Sequence, residues 1–272
     1  MKKLILSAVV VSLSVAANAT VLLQVDATPA QVNTLPAGLT GSFDSGTDVK
    51  VVTLATMQPA IGADHTGGDG HVLRVGDIDA GGGSFNWAYV TTPPVNTDVA
   101  ISAYYYVDFT NGMDTPTVQE RDYVLMARTA TADPQGTSPS RSGYFFLISA
   151  NASWTGVTPN PVNRKPYIIK RNADTTYTQI GINGVADVTD GWHKLKLEVI
   201  GTSIKGYVDD VVVCSGTDST YTGTGVAWGY YDDNGAAALP TPLPYAAAVD
   251  NLLYETATLP PPTAATTWEV YD

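Results

Sequence analysis

The sequence predicts an all-β protein in which two antiparallel sheets pack face to face. Three observations carry that reading. Apolar and polar residues alternate with period two in roughly a dozen short runs. Gly, Asp, Asn and Pro turn signals separate the runs. No stretch sustains the apolar spacing of an amphipathic helix. A strand with one apolar face must bury it, and short strands joined by tight turns do so against a second sheet. Nothing repeats with a period of ~20–50 residues, which sets solenoids and propellers aside.

The chain opens with a secretion signal: Lys2 and Lys3, an apolar run over residues 4–15, and the small-x-small site Ala17-Asn18-Ala19. The run is too short to span a bilayer, and no later segment reaches ~18 uninterrupted apolar residues. Taking residues 1–19 from the 272 leaves 253, the size of one large all-β domain, expected over residues 20–256. With Lys2 and Lys3 removed, the net charge of −12 becomes −14. That acidity argues against nucleic acid or an anionic membrane as partner, and it suits an exported protein. Cys214 is the only cysteine, so no internal disulfide forms. Its place at the end of an apolar strand predicts a buried, inert thiol.

Residues 21–25 read as the first strand and 51–54 as another, with a polar, Gly-rich passage between them. Residues 71–75 alternate after the Asp69-Gly70 turn. Residues 99–109 carry Ile101, Ala103, Tyr105, Val107 and Phe109 on one face, and Ser102, Tyr104, Tyr106 and Asp108 on the other. Residues 122–130 and 143–150 are apolar on both faces, which places them in the middle of a sheet covered on both sides. A hairpin is expected over 167–171 and 176–180, a strand over 225–231 and a closing strand over 247–254. Residues 257–272, with Pro260, Pro261 and Pro262 near their start, read as a tail outside the fold.

Residues 190–215, DGWHKLKLEVIGTSIKGYVDDVVVCS, form the most regular stretch. Leu195, Leu197 and Val199 point one way and Lys194, Lys196 and Glu198 the other, while Gly201-Thr202-Ser203 and Asp209-Asp210 supply reversals for a three-stranded meander. Trp192-His193 after a turn, the alternating strand, Tyr207-Val208-Asp209 and the run of valines resemble the laminin-G-like and concanavalin A-like jelly rolls. That superfamily holds lectins, carbohydrate-binding modules, glycoside hydrolases and polysaccharide lyases. The sequence departs from it at Asp210, where a turn glycine is usual. The resemblance implies a two-sheet antiparallel jelly-roll sandwich with a glycan or polysaccharide as partner. Val249-Asp250 is similar to the pair in the superfamily's last strand, whose aspartate helps hold a structural calcium. It therefore implies one structural Ca2+ on Asp250, with backbone carbonyls around Asp26 and Gly70 as companions. Calcium takes six or more hard oxygens, so one carboxylate, carbonyls and water suffice. The competing role for Asp250 is to cap a turn by hydrogen bonding.

Two catalytic patterns compete with this reading. The superfamily's β-glucan hydrolases share a Glu-x-Asp-x-x-Glu strand. Here Glu120-Arg121-Asp122-Tyr123-Val124-Leu125 supplies the first two acids and puts Leu125 at the third position, so the second carboxyl that retaining hydrolysis requires is missing. A lyase needs a base and a cation, roles open to Tyr104, Tyr106, Arg128, His71 or His193, but no motif joins them. Sugars stack their C–H faces on Trp and Tyr rings while their hydroxyls bond to Asp, Asn and Arg. The candidate glycan contacts are Tyr104, Tyr106 and Asp108 on one strand face, with Arg128 and Trp154. Trp87, Tyr89, Trp228 and Tyr230 would extend that platform, or fill the second face of a covered sheet. The expected function is a secreted, lectin-like protein binding a glycan on its concave sheet. An extracellular glycan-cleaving enzyme and a surface or matrix structural protein stand as alternatives.

Overall fold

The structure is a computed structural model. It describes residues 19–257 apart from 43–48, 58–60, 62, 66–67, 77–83, 94–97, 110–120, 132–141, 151–163, 174–175, 182–186 and 233–245. The described strands are, in chain order, β1 Val21–Val25, β2 Leu39–Ser42, β3 Val49–Thr53, β4 His71–Gly76, β5 Ser84–Val90, β6 Val99–Val107, β7 Arg121–Thr129 and β8 Gly143–Ala150. They continue as β9 Pro166–Arg171, β10 Tyr177–Gln179, β11 Gly191–Ile200, β12 Ser203–Val208, β13 Val211–Thr217, β14 Gly225–Asp232 and β15 Ala246–Thr256. One sheet of eight strands runs β13-β12-β11-β6-β15-β4-β3, with β1 also on β15; the other, of seven, runs β10-β9-β8-β7-β14-β5-β2. This is the two-sheet antiparallel jelly-roll sandwich that the sequence predicts. Among the described residues no helix is long and apolar enough to cross a membrane.

The period-two faces decide what goes inside. Ile101, Ala103, Tyr105 and Val107 of β6 meet Leu195, Leu197 and Val199 of β11 in the core, together with Tyr123, Leu125, Phe146 and Trp228 of the other sheet. Buried polar tips cross between the layers. Trp228 Nε1 donates to the Ser102 carbonyl at 2.9 Å, and the Tyr105 hydroxyl donates to the Val124 carbonyl at 3.0 Å. Each large ring thus buries its apolar area without leaving its donor unpaired. Cys214 is buried as expected, and desolvation pushes its thiol up to about 12.

Two strands escaped the sequence reading, β2 and β5. β5 follows the glycines at 81–83, and its one-face alternation is short. It is recruited by pairing with β14, where Gly229 stands opposite Trp87. A Cβ at Gly229 would overlap the Trp87 ring, so the glycine lets the indole lie across its backbone.

The meander closes through two-residue turns. Gly201, at φ +55°, sits between the paired Ile200 and Ser203, and Asp209 and Asp210, at φ +50° and +63°, sit between Val208 and Val211. Two successive left-handed residues match a primed hairpin turn, where Asn, Asp and Gly are favoured. The aspartates offset the strain through their side chains. Asp209 Oδ1 accepts the Lys194 amide at 2.9 Å, its Oδ2 lies 2.7 Å from His193 Nδ1, and Asp210 Oδ1 accepts Lys194 Nζ at 2.8 Å. That is the physical answer to the missing turn glycine.

Candidate functional site

On the outer face of the eight-stranded sheet, register sets up rows of side chains that cross the strands. Tyr104 stands between Asp250 of β15 and Lys194 of β11, and Tyr106 between Ala248 and Trp192. Ala248 packs with Val52, Val72 and Ile61, and Leu54, Met57, Tyr106 and Trp192 lie against them. Part of the face is therefore roofed by the chain that leaves β3. Trp192 Nε1 donates to the Ala63 carbonyl at 2.9 Å, which holds that chain down. Two residues on, His65 stacks on Tyr104, with ring centroids 3.4 Å apart and planes 15° from parallel. Trp192 meets His65 edge-on at 6.1 Å and Tyr106 edge-on at 5.6 Å. Four rings thus form one group: His65 exposed, Tyr104, Tyr106 and Trp192 half-buried.

Electrostatics follow from this packing. Burial lowers the pKa of His65 below the usual histidine value, partly countered by the carboxylates of Asp209 and Asp64. Burial raises the Tyr106 phenol, and the charges of Asp108 and Asp190 add to it. Asp64 Oδ2 accepts the Gly70 amide at 2.7 Å, and the Gly70 carbonyl accepts the Leu54 amide at 2.8 Å, so the segment closes on itself.

The structure does not gather all the expected contacts here. Asp108 is buried at the end of β6, where its amide donates to the Tyr123 hydroxyl at 3.0 Å. Arg128 sits at a bulge of β7 with φ +53° and is 4% exposed. Its guanidinium donates to the Gly201 carbonyl at 2.7 Å and to Asp98 Oδ1 at 3.0 Å. It ties β7 to the β11–β12 turn and to the segment before β6, far from Tyr104 in the weave. Trp154 lies outside the described residues. Trp87 and Tyr89 belong to the outer face of the other sheet, and Trp228 and Tyr230 are in the interior. His65, which the sequence places in a Gly-rich turn without the spacing of a zinc site, comes to Tyr104 from that turn, and Asp64 precedes it.

The pairing of β15 sets where the residues expected to hold calcium fall in the sheet. β15 pairs with β6 along one edge, while its other edge takes β4 through Ala246–Val249 and β1 through residues 252–255. The end of β1, followed by Asp26, and the start of β4, preceded by Gly70, therefore abut where β15 bulges at Asn251, φ +53°. Asp250 is 1% exposed, and its Oδ1 accepts the Asn251 amide at 2.8 Å. Among the described residues no three His, Cys, Asp or Glu side chains converge as a metal group. The described side-chain donor at the seam is the buried carboxylate of Asp250.

The part of the hydrolase pattern that falls on β7 is enclosed in the sandwich. Asp122 is fully buried, Leu125 packs in the core, and Glu120 lies outside the described residues. His193, named for a lyase, is held between Asp209 and the Thr189 carbonyl, 2.9 Å from its Nε2, and Arg128 is spent on its brace.

With fold and site in view, the class is clear: this is a jelly-roll sandwich that resembles the concanavalin A-like group at the level of fold. No family model and no curated protein matches the chain. Solved structures similar to it include carbohydrate-binding module CBM66 from Bacillus subtilis, at 15% identity over 75% of this chain and 94% of that one, TM-score 0.42. Domain 4 of the extracellular arabinanase AbnA from Geobacillus stearothermophilus, in complex with arabinotriose, is 13% identical over 89% and 95%, TM-score 0.48. The Ca2+-bound lumenal domain of VIP36 is 10% identical over 81% and 83%, TM-score 0.47.

Proposed function

We propose that the protein is a secreted, non-catalytic glycan-binding sandwich whose ligand rests on the outer face of the eight-stranded sheet, at the His65–Tyr104–Trp192 group. One observation carries this reading. The group faces solvent through an exposed ring, and its rim carries the polar side chains of Lys194, Asp209 and Asp210. A flat aromatic surface edged by donors and acceptors matches the C–H face and hydroxyls of a sugar. Asp250 with the seam carbonyls would hold one structural Ca2+, which when bound would lock the β15 bulge to β1 and β4. The test is a glycan-array screen of the protein with and without calcium, repeated with Tyr104→Ala. Binding that the folded variant loses supports the reading. Failure to bind any glycan refutes it and leaves the structural role as the better account. A melting temperature unchanged between Ca2+ and EGTA would rule out the calcium site.

A further inference from the structure

Within that glycan-binding reading, the residues that touch the ligand can be narrowed. Asp64 is 8% exposed, and one of its carboxylate oxygens takes the Gly70 amide. Its other oxygen, Oδ1, is buried and has no hydrogen-bond partner among the described residues. A buried carboxylate oxygen in that condition forfeits its hydration without compensation, and a hydroxyl of a bound ligand would supply the missing donor. The next residue, His65, lies flat on Tyr104 with one ring face covered and the side chain exposed. Among the described residues neither its ring nor the Tyr104 hydroxyl has a hydrogen-bond partner. Unsatisfied acceptor, open ring face and free ring nitrogens thus occupy two consecutive residues, tied down by the Trp192 bond to the Ala63 carbonyl. The carboxylates of Asp64 and Asp209 both act on the imidazole, so an anionic ligand would meet repulsion.

We infer that His65 and Asp64 are the ligand-facing pair. The outer face of the imidazole receives the C–H face of an uncharged sugar ring, and Asp64 Oδ1 accepts a hydrogen from one of its hydroxyls. Tyr104 then serves as the underlay that keeps the imidazole flat, and residues 63–65 become the element that sets specificity. The opposite possibility is that His65 is a lid that sugar must displace, and the two differ in the sign of a single substitution.

The experiment measures affinity for immobilised β-glucan, mannan and arabinan, with polygalacturonate as the acidic control, using the full chain and the variants His65→Ala, His65→Phe, Asp64→Asn and Tyr104→Ala. The expected result is binding to a neutral glycan and not to polygalacturonate. His65→Ala weakens it roughly three- to tenfold, the range of one aromatic stacking contact, and His65→Phe retains it. Asp64→Asn weakens it by a similar factor, with folding checked by circular dichroism. If Asp64→Asn fails to fold, the two His65 variants decide. Equal or tighter binding by His65→Ala, while Tyr104→Ala loses it, overturns the inference and leaves the glycan-binding reading standing. Preference for polygalacturonate also overturns it. No binding to any of these glycans, or binding indifferent to Tyr104→Ala, removes the wider reading itself.

Discussion

Asp218→Asn is the sharpest test of how the two sheets are joined at the β13 end. Asp218 follows β13 and reaches across to the other layer. Its Oδ2 accepts Lys170 Nζ at 2.7 Å, and its Oδ1 accepts the Tyr144 hydroxyl at 2.8 Å and the Thr220 amide at 2.7 Å. Lys170 and Asp218 side chains are 15% and 16% exposed, so solvent screens this pair far less than an open surface bridge. An amide at this position removes the charge and turns one acceptor into a donor. Hydrogen bonds to charged groups contribute about 1.5–3 kcal/mol, and we expect a loss of about 2 kcal/mol at pH 7. For a domain of this size that lowers Tm by roughly 4–8 °C. The pH dependence has a definite sign. Burial alone would push the Asp218 carboxyl up, but the bonds from Lys170, Thr220 and Tyr144 outweigh it and hold the group well below the usual carboxylate range. The stabilisation is therefore complete above the unfolded value of about 3.9 and fades as pH falls from there toward the depressed folded value. Urea denaturation followed by circular dichroism at pH 7, 5 and 3 measures the gap between wild type and variant. A gap under about 0.5 kcal/mol at pH 7, or one that fails to narrow by pH 3, would refute the reasoning.

Other outcomes follow from the same geometry. Gly229→Ala drives a methyl into the Trp87 ring and should cost about 1–3 kcal/mol, while pairing it with Trp87→Leu should recover part of that loss in a double-mutant cycle of thermal melts. Cys214, its thiol raised to about 12 by burial, should resist a thiol reagent at pH 8 in the native protein and react stoichiometrically in urea. Arg128→Met removes the brace to Asp98 and Gly201; stability should fall by about 2 kcal/mol while glycan affinity of the folded variant stays within twofold.

Much of the fold was legible because strand formation is written in neighbouring residues. The alternation of residues 99–109 assigned Ile101, Ala103, Tyr105 and Val107 to the core and Tyr104 and Tyr106 to the opposite face, and the coordinates place them so. β2 and β5 were invisible for the converse reason: β2 has only four residues, and β5 is held by a glycine of β14 about 140 residues downstream. The candidate site was less legible. Arg128 reads as a free cation until Gly201, 73 positions on, supplies a carbonyl for it. Asp108 reads as an exposed strand acid until the Tyr123 hydroxyl closes over its amide.

By itself, then, the sequence determined most of the segments that become strands, which of their faces are apolar, where the meander turns, and that a lone cysteine would be buried. Period-two patterning and turn chemistry act over a few residues, so a linear reading recovers them. Only the tertiary structure decided that Ala63 and His65 fold back onto Trp192 and Tyr104, and that Arg128 joins two layers. Those outcomes depend on contacts between residues remote in the chain, where packing and the pairing of buried polar groups select among partners that local pattern leaves equivalent.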